Sequence, residues 1–597
     1  MLLVSRSISF FEFSKYCCFN GLLLNLPEQN QNGISLKQIT RWPRFTIYLP
    51  LSGFYLMQLR LLIYPVFLLV CFLTFQSTKD YGYVTDYLGW LNRYRDSSFS
   101  DVWNCFGYPG MHQFFHLINF ILFKLIGKNV AVMGTIFILT HASVCYLVYR
   151  TFRLIVETVN PEHAGLIALF TGIFTALSPY AIEPITWDAC FHYLLCTALV
   201  FFGINFLTRY HLTKKKPFLY LHFLFFILAL FTIELALVAP AIFLIYLSLV
   251  VWASGDVKQL AGYWYRLVPI YVVLLVAYFI LTKLSIGTWI GHYGAEQHLK
   301  FSPTLLITTF AKYVSKILLL SHFWKFTYKE SWYNILSELW KSLAFLFAIG
   351  LLVAMLYRTT KYKRLKQVLI ASMAAFVFGL LPILNLFFVW IGWYENDRYS
   401  YFAAPHMYLF VTTLFFIAFK KSYAYVWIFF LVVNAFFLSK MISTTRDAGT
   451  IVERLCQDFD YYDYKEVVLL CVPENLNGAY LFRDYGNDGV TFNESLDWLG
   501  KGSYTGKMTN ISEINLTSPI DSVGVQITSP KSIKVNIASW GSWFWRKGAG
   551  LNGSESDRYK VVTGDLSFEV TVKDSVPGRI FIFNKGEKWQ SVQLPGE

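Results

Sequence analysis

Long apolar stretches separated by short polar ones occupy residues 58–441. A bilayer span needs roughly 20 predominantly apolar residues. By that measure helices are expected near 58–76, 130–150, 164–180, 189–208, 217–232, 235–253, 265–283, 337–357, 367–389, 403–420 and 423–441, about eleven spans. Basic residues give the parity. Arg150 and Arg153 follow the second helix, and Arg209 with Lys214, Lys215 and Lys216 follows the fourth. Lys258 and Arg266 follow the sixth, Arg358, Lys361, Lys363, Arg364 and Lys366 the eighth, and Lys420 and Lys421 the tenth. Every cluster follows an even-numbered helix, so a cytoplasmic N-terminus places them all inside. If the apolar stretch Leu305–Leu320 also crossed, the strongest cluster would move outside. It is therefore expected to be interfacial or re-entrant, as is the amphipathic stretch His112–Leu125.

Beyond residue 441 the pattern changes. Ile533, Val535 and Ile537 alternate with polar residues, as do Leu566, Phe568, Val570 and Val572, and both runs read as strands. The expected organisation is a mainly α polytopic membrane domain over 57–441, with a long outward loop at 77–129. A small β-rich extracytoplasmic domain follows over 442–597. Residues 1–56 lack clear periodicity and read as an extension, with Met57 as the expected working start. The localisation expected is the bacterial inner membrane.

Composition agrees. Of 597 residues, 55% are hydrophobic and 15% charged, against about 25% charged in soluble domains. With a mean hydropathy of +0.45, this excludes a cytosolic enzyme, a disordered chain and a fibrous one. The net charge of +14 belongs to the inner loops rather than to nucleic-acid binding. The nine cysteines show no CxxC or Cys/His zinc spacing, so neither a disulfide framework nor a zinc site is expected. The absence of an internal repeat speaks against an inverted-repeat transporter. The sequons at Asn493, Asn510 and Asn515 have meaning only in a host that glycosylates them.

The outward loops hold the polar residues a membrane protein otherwise avoids. Asp86 follows the first span and could act as a general base, with Asp80, Asp96 and Asp101 competing. The turn Ser178–Asp188 carries Glu183 and Trp187, and His192 lies one helical turn beyond Asp188. Asp188 with His192, like His112 with His116, has a spacing that suits a metal but more often marks a cap or a hydrogen bond. Glu234 sits between the fifth and sixth spans, where an acid is costly and a functional candidate by default. The densest cluster is Pro382, Asn385, Leu386, then Glu395, Asp397, Arg398, Tyr399 and Tyr401. Arg398 suits bidentate phosphate binding, or an ion pair with Glu395 or Asp397.

In their order these residues resemble membrane glycosyltransferases of the GT-C superfamily, nearest the transmembrane O-mannosyltransferases with tetratricopeptide repeats. The matching elements are Asp86 in the first outward loop, Pro179 through Glu183 to Trp187, Glu234 with Pro240, and Pro382, Asn385 and Leu386 followed by Glu395, Arg398, Tyr399 and Tyr401. The likeness covers roughly 57–440. Three departures stand out: the acidic pair is reduced to Asp86-Tyr87, Phe191-His192 replaces an Arg after the Trp turn, and the β-rich tail replaces the repeats. The resemblance implies a GT-C-like fold and inverting transfer of a hexosyl or mannosyl unit from a polyprenyl-phosphate donor to an acceptor hydroxyl. In that reading Asp86 is the base. Arg398, with His192 and Arg93, holds the donor phosphate, and Glu183, Trp187, Glu234, Glu395, Tyr399 and Tyr401 line the substrate site. No cofactor or metal is required, although a divalent cation is compatible. The acceptor could be a glycan, a lipid or a protein. Alternatives are a polysaccharide polymerase or ligase of another membrane family, a lipid-linked sugar flippase, or an assembly protein acting through its tail.

Overall fold

The computed structural model describes residues 53–82, 87–105, 110–255, 257–291, 302–358, 364–384, 397–419, 422–482, 490–499, 501–537, 545–548 and 553–595. Asp86, Asn385, Leu386 and Glu395 therefore lie outside the described residues, as does most of the expected N-terminal extension. Residues 59–597 form one unit.

Among the described residues, seven helices are long and apolar enough to cross a membrane: Val130–Val159, Asp188–Thr213, Glu234–Ala253, Lys258–Ile286, Leu339–Leu356, Leu365–Leu384 and Tyr423–Asp458. Pro161–Ala176 and Pro179–Thr186 make an eighth if their 52° bend belongs to one span. The bend has a local cause. Leu177 ends the first helix, the Ser178 hydroxyl accepts from the Tyr180 N–H, and Pro179 and Pro184 cannot donate to a continuous helical ladder. Among the described residues each of the eleven expected segments contains a helix, but Lys216–Leu230 and Ala404–Phe419 have only 15 and 16 residues. At ~1.5 Å per residue they fall short of a ~30 Å hydrocarbon core, so eleven crossings are not established. Gln113–Ile126 and Pro303–Leu319, expected to be interfacial or re-entrant, are likewise short helices.

Apolar side chains face outward as well as inward. Leu62, Val66, Leu69 and Leu73 form an exposed stripe on the first helix, and Phe347, Leu351, Leu352 and Met355 are exposed on Leu339–Leu356. Helices satisfy their own backbone polar groups, so such faces are stable against lipid. The chain is an integral membrane protein.

The helix Tyr423–Asp458 has 36 residues, about 54 Å at the α-helical rise. It runs past residue 441 without interruption and carries the last apolar segment into the C-terminal region. There the Trp589 backbone N–H donates to Asp458 (2.6 Å) and its indole to the Leu455 carbonyl (2.9 Å). The strands expected over 533–537 and 566–572 are Ser532–Ile537 and Ser567–Val572. They pair antiparallel with Val535 opposite Phe568 and Ile533 opposite Val570. A second sheet was not legible from alternation. Its central strand Glu466–Leu476 is buried along its whole length. It runs parallel to Lys507–Asn510, Ser512–Leu516 and Arg579–Lys585. A strand covered on both faces reads as a continuous apolar run rather than an alternating one. Glu466 joins the two sheets, accepting from Arg579 and Arg558 (2.7 Å each) and from the Tyr559 hydroxyl (3.1 Å).

The first loop is tied to this C-terminal region. Its helix Tyr87–Asp96 lies against Val490–Trp498. The Asn92 amide donates to Glu494 (3.1 Å) and accepts from the Trp498 indole (2.9 Å), and Arg95 pairs with Asp497 (3.5 Å). The Tyr81 hydroxyl donates to the Tyr480 carbonyl. Gly449 on the long helix permits this approach, since a Cβ there would lie 3.0 Å from the Tyr81 ring. The first loop and the C-terminal region thus share one end of the helical bundle.

Candidate functional site

Four segments meet beneath the C-terminal region: the bent turn 178–187, the short helix Asp397–Tyr401, the segment 303–335, and a hairpin over 475–480. Sequence places them far apart, and buried charge draws them together.

Glu183 accepts from the Arg398 backbone N–H (2.7 Å) and from its guanidinium. The guanidinium carbon lies 4.7 Å from the Trp187 ring centroid and 4.6 Å from that of Tyr399. Its remaining terminal nitrogen donates to the Tyr399 hydroxyl at 3.4 Å. Rigid ring walls and a carboxylate therefore hold a planar cation in one orientation, which a lysine could not reproduce. Burial opposes the charge on Arg398, but Glu183 outweighs it and raises the pKa above the ordinary arginine value. Of the expected partners, Asp397 needs correction: Arg398 pairs with Glu183, 215 residues away in sequence, while Glu395 lies outside the described residues.

Asp397 instead pairs with Lys316 Nζ at 2.7 Å and lies 3.4 Å from His322 Nε2, all three being buried. Lys316 also lies 5.4 Å from the Tyr180 ring centroid, and the Tyr180 hydroxyl donates to the Lys316 carbonyl. A third buried cation, Lys329 on the helix Phe326–Ile335, acts on the same carboxylate. Burial raises the Asp397 pKa to about 6, with Lys316 and Lys329 pulling it down and Glu183 pushing it up. Burial lowers Lys329 to about 7, with Asp397 opposing and Lys316 assisting. Burial, and then Lys316 and Lys329, push His322 well below the ordinary histidine value. Sequence reading missed Lys316, His322 and Lys329 because their segment registers as an apolar helix and its polar sequel. The signal available was a lysine inside an apolar stretch, which needs a buried partner.

A second cluster adjoins the first. His112 Nε2 lies 3.1 Å from Glu234. The His192 ring lies 6.1 Å from that of His112 and 4.5 Å from Tyr193, whose ring is 6.0 Å from Tyr399. A relay of rings thus links Glu234 and His192 to Arg398. Arg93 is exposed above Trp90 (4.8 Å), and Trp90 lies against His116 (4.6 Å). His116 is occupied by the Tyr94 hydroxyl at 2.8 Å. Tyr401 faces elsewhere: its hydroxyl meets His141 Nδ1 (2.8 Å) inside the helical core, so it is not gathered with the other candidates.

The C-terminal region contributes a wall. Asn477 and Gly478 have positive φ values of 48° and 99° and turn the chain tightly, a geometry suited to an Asn-Gly hairpin. The turn presents Tyr480, whose ring centroid is 4.5 Å from that of Trp187.

No protein-family model matches the sequence, and no curated protein matches it. Among solved structures, the chain is similar to ArnT from Cupriavidus metallidurans in its apo state. Identity is 12%, 77% of this chain and 86% of that chain are covered, and the TM-score is 0.30. At that score the superposition carries no argument.

Removing one member of a buried ion pair costs about 3–5 kcal/mol because the other charge is stranded. Glu183→Ala should therefore lower the melting temperature of the detergent-purified protein markedly. Glu183→Ala with Arg398→Met should recover much of that loss. Thermal melting of wild type, both single variants and the double variant checks this.

Proposed function

We propose that the chain is a membrane glycosyltransferase of the GT-C type. It would transfer a sugar from a polyprenyl-phosphate donor to an acceptor hydroxyl on the extracytoplasmic side. The observation that carries this reading is the convergence of three buried cations, Arg398, Lys316 and Lys329, with aromatic walls at one end of an apolar bundle. A lipid-linked donor fits that layout, because its tail stays in the bilayer while its phosphate enters the charged cluster. The order of sequence elements shared with GT-C enzymes supports the same reading.

In this mechanism Asp86 accepts the proton of the acceptor hydroxyl as the oxygen attacks the anomeric carbon. The bond from that carbon to the phosphate oxygen breaks, and polyprenyl phosphate leaves with the electron pair. A phosphate is already a stable anion, so no strong general acid is needed, unlike glycoside hydrolysis with its two carboxylates. Arg398 and Lys329 offset the growing negative charge from a fixed, desolvated position. Direct displacement inverts the anomeric centre. Trp187, Tyr399 and Tyr480 wall the sugar, His192 assists Arg398 at the donor phosphate, and Glu234, beside His112, lines the substrate site. The chemistry as written passes through no metal.

Three outcomes test the reading. Purified wild type offered a panel of polyprenyl-phosphate hexoses and candidate acceptors should release polyprenyl phosphate. Asp86→Asn and Arg398→Ala should each reduce release by at least about a hundredfold, the scale of one general base or one charge stabiliser. Equal rates in all three proteins would remove both residues from the chemistry.

Tyr480→Ala should lower kcat/KM about tenfold, as expected for an aromatic contact of ~1 kcal/mol and its burial, and Tyr480→Phe should retain most of it. Steady-state kinetics of the two variants decides.

The third outcome concerns pH. Asp397 has a raised pKa, so its stabilising contribution is present at low pH and is lost as pH rises through about 6. Lys329 has a lowered pKa, so its contribution is present at high pH and is lost as pH falls through about 7. Between these values both groups carry charge. Polyprenyl-phosphate affinity should therefore fall as pH rises through about 7, where Lys329 loses its proton. Lys329→Met should flatten that profile, as read by binding isotherms across pH.

A further inference from the structure

The fully buried Cys71, His141 and Cys145 stand apart from the charged site. Cys71 lies on the helix Gly53–Phe75, and His141 and Cys145 lie one turn apart on Val130–Val159. Their potential ligand atoms all fall within 4.8 Å of one another. Spacing alone could not show this, because the first cysteine comes from another helix.

Cys145 Sγ is 3.5 Å from His141 Nε2. Around a tetrahedral metal with bonds of ~2.3 Å to sulfur and ~2.0 Å to imidazole nitrogen, the separation of those two atoms is about 3.5 Å. The other ring nitrogen, Nδ1, lies 2.8 Å from the Tyr401 hydroxyl. A ligating imidazole commonly donates its second N–H to such an oxygen, which fixes the tautomer that leaves Nε2 as the ligand. The contact of Nε2 with the Ala176 carbonyl is long, at 3.4 Å, and ligation would replace it.

We propose that Cys71, His141 and Cys145 form a buried site for a soft, thiophilic metal ion, Zn(II) or Cu(I). Two sulfurs and one imidazole select these ions over Mg(II), Ca(II) or Mn(II). On binding, both thiols release their protons, two metal–sulfur bonds and one metal–nitrogen bond form, and no redox partner is needed. Two thiolates balance a divalent cation, so the bound site adds no net charge to the helical core; with Cu(I) the site carries one negative charge. The ion would clamp the first helix to Val130–Val159. Through His141 it would also fix Tyr401, two residues from the aromatic wall Tyr399.

Elemental analysis of the full-length protein, purified in detergent without chelator, is the test. Near one equivalent of zinc or copper per chain is expected. It should be lost in Cys71→Ser and in Cys145→Ser and kept in Cys196→Ser, whose buried thiol lies on another helix. Should the serine variants fail to fold, wild type exchanged with Co(II) decides: a thiolate-to-cobalt charge-transfer band supports the site. A protein that holds no metal and takes up neither Zn(II), Cu(I) nor Co(II) overturns the proposal, as does a disulfide between Cys71 and Cys145. None of these readouts depends on glycosyl transfer.

Discussion

The pairing of Glu183 with Arg398 is the contact on which the rest of this site depends. A carboxylate on a bent, proline-bounded turn accepts from both the backbone and the side chain of a residue 215 positions later. Two ring faces close on the same guanidinium. Neither charge can be buried alone at acceptable cost, so the turn 178–187 and the helix Asp397–Tyr401 must fold against each other. Once Arg398 is fixed, the adjacent Asp397 points into the neighbouring segment and finds Lys316. Two consecutive residues thereby gather two distant parts of the chain.

The C-terminal region completes this arrangement. The long last helix carries it off the end of the bundle, and the first loop is stitched to it through Asn92, Arg95 and Tyr81. The hairpin at Asn477–Gly478 then sets Tyr480 against Trp187. A tail that seemed separable by composition forms part of the wall around the charged cluster, so changes in it would reach the site directly.

Much of this was legible in the sequence. Apolar runs located the helices because a span must hide its backbone from lipid, and alternation located two of the five strands of the antiparallel sheet. Glu183, Trp187, Arg398 and Tyr399 stood out as polar residues crowded at helix ends, and they do come together. Other features leave no local trace. The partner of Arg398 could not be read from proximity in sequence, where Glu395 and Asp397 looked nearer. Lys316 is hidden in an apolar helix whose hydropathy masks a single charge, and Lys329 lies in a polar stretch that gives no sign of its burial. The strand Glu466–Leu476 is buried on both faces, and its apolar run over 467–473 shows no alternation. Tyr401 shares a motif with Tyr399, yet it turns inward to His141, because successive residues on a short helix face different sides.

The central claim is that this charged cluster holds the phosphate of a lipid-linked sugar. The most direct measurement is a cryo-electron-microscopy map of the full-length protein in nanodiscs with a polyprenyl phosphate added. The account predicts headgroup density about 3 Å from the Arg398 guanidinium or the Lys329 ammonium, the distance of a charge-assisted hydrogen bond, with the tail running between the apolar helices. A headgroup bound at the opposite end of the bundle, with none within hydrogen-bond distance of Arg398 or Lys329, would contradict it.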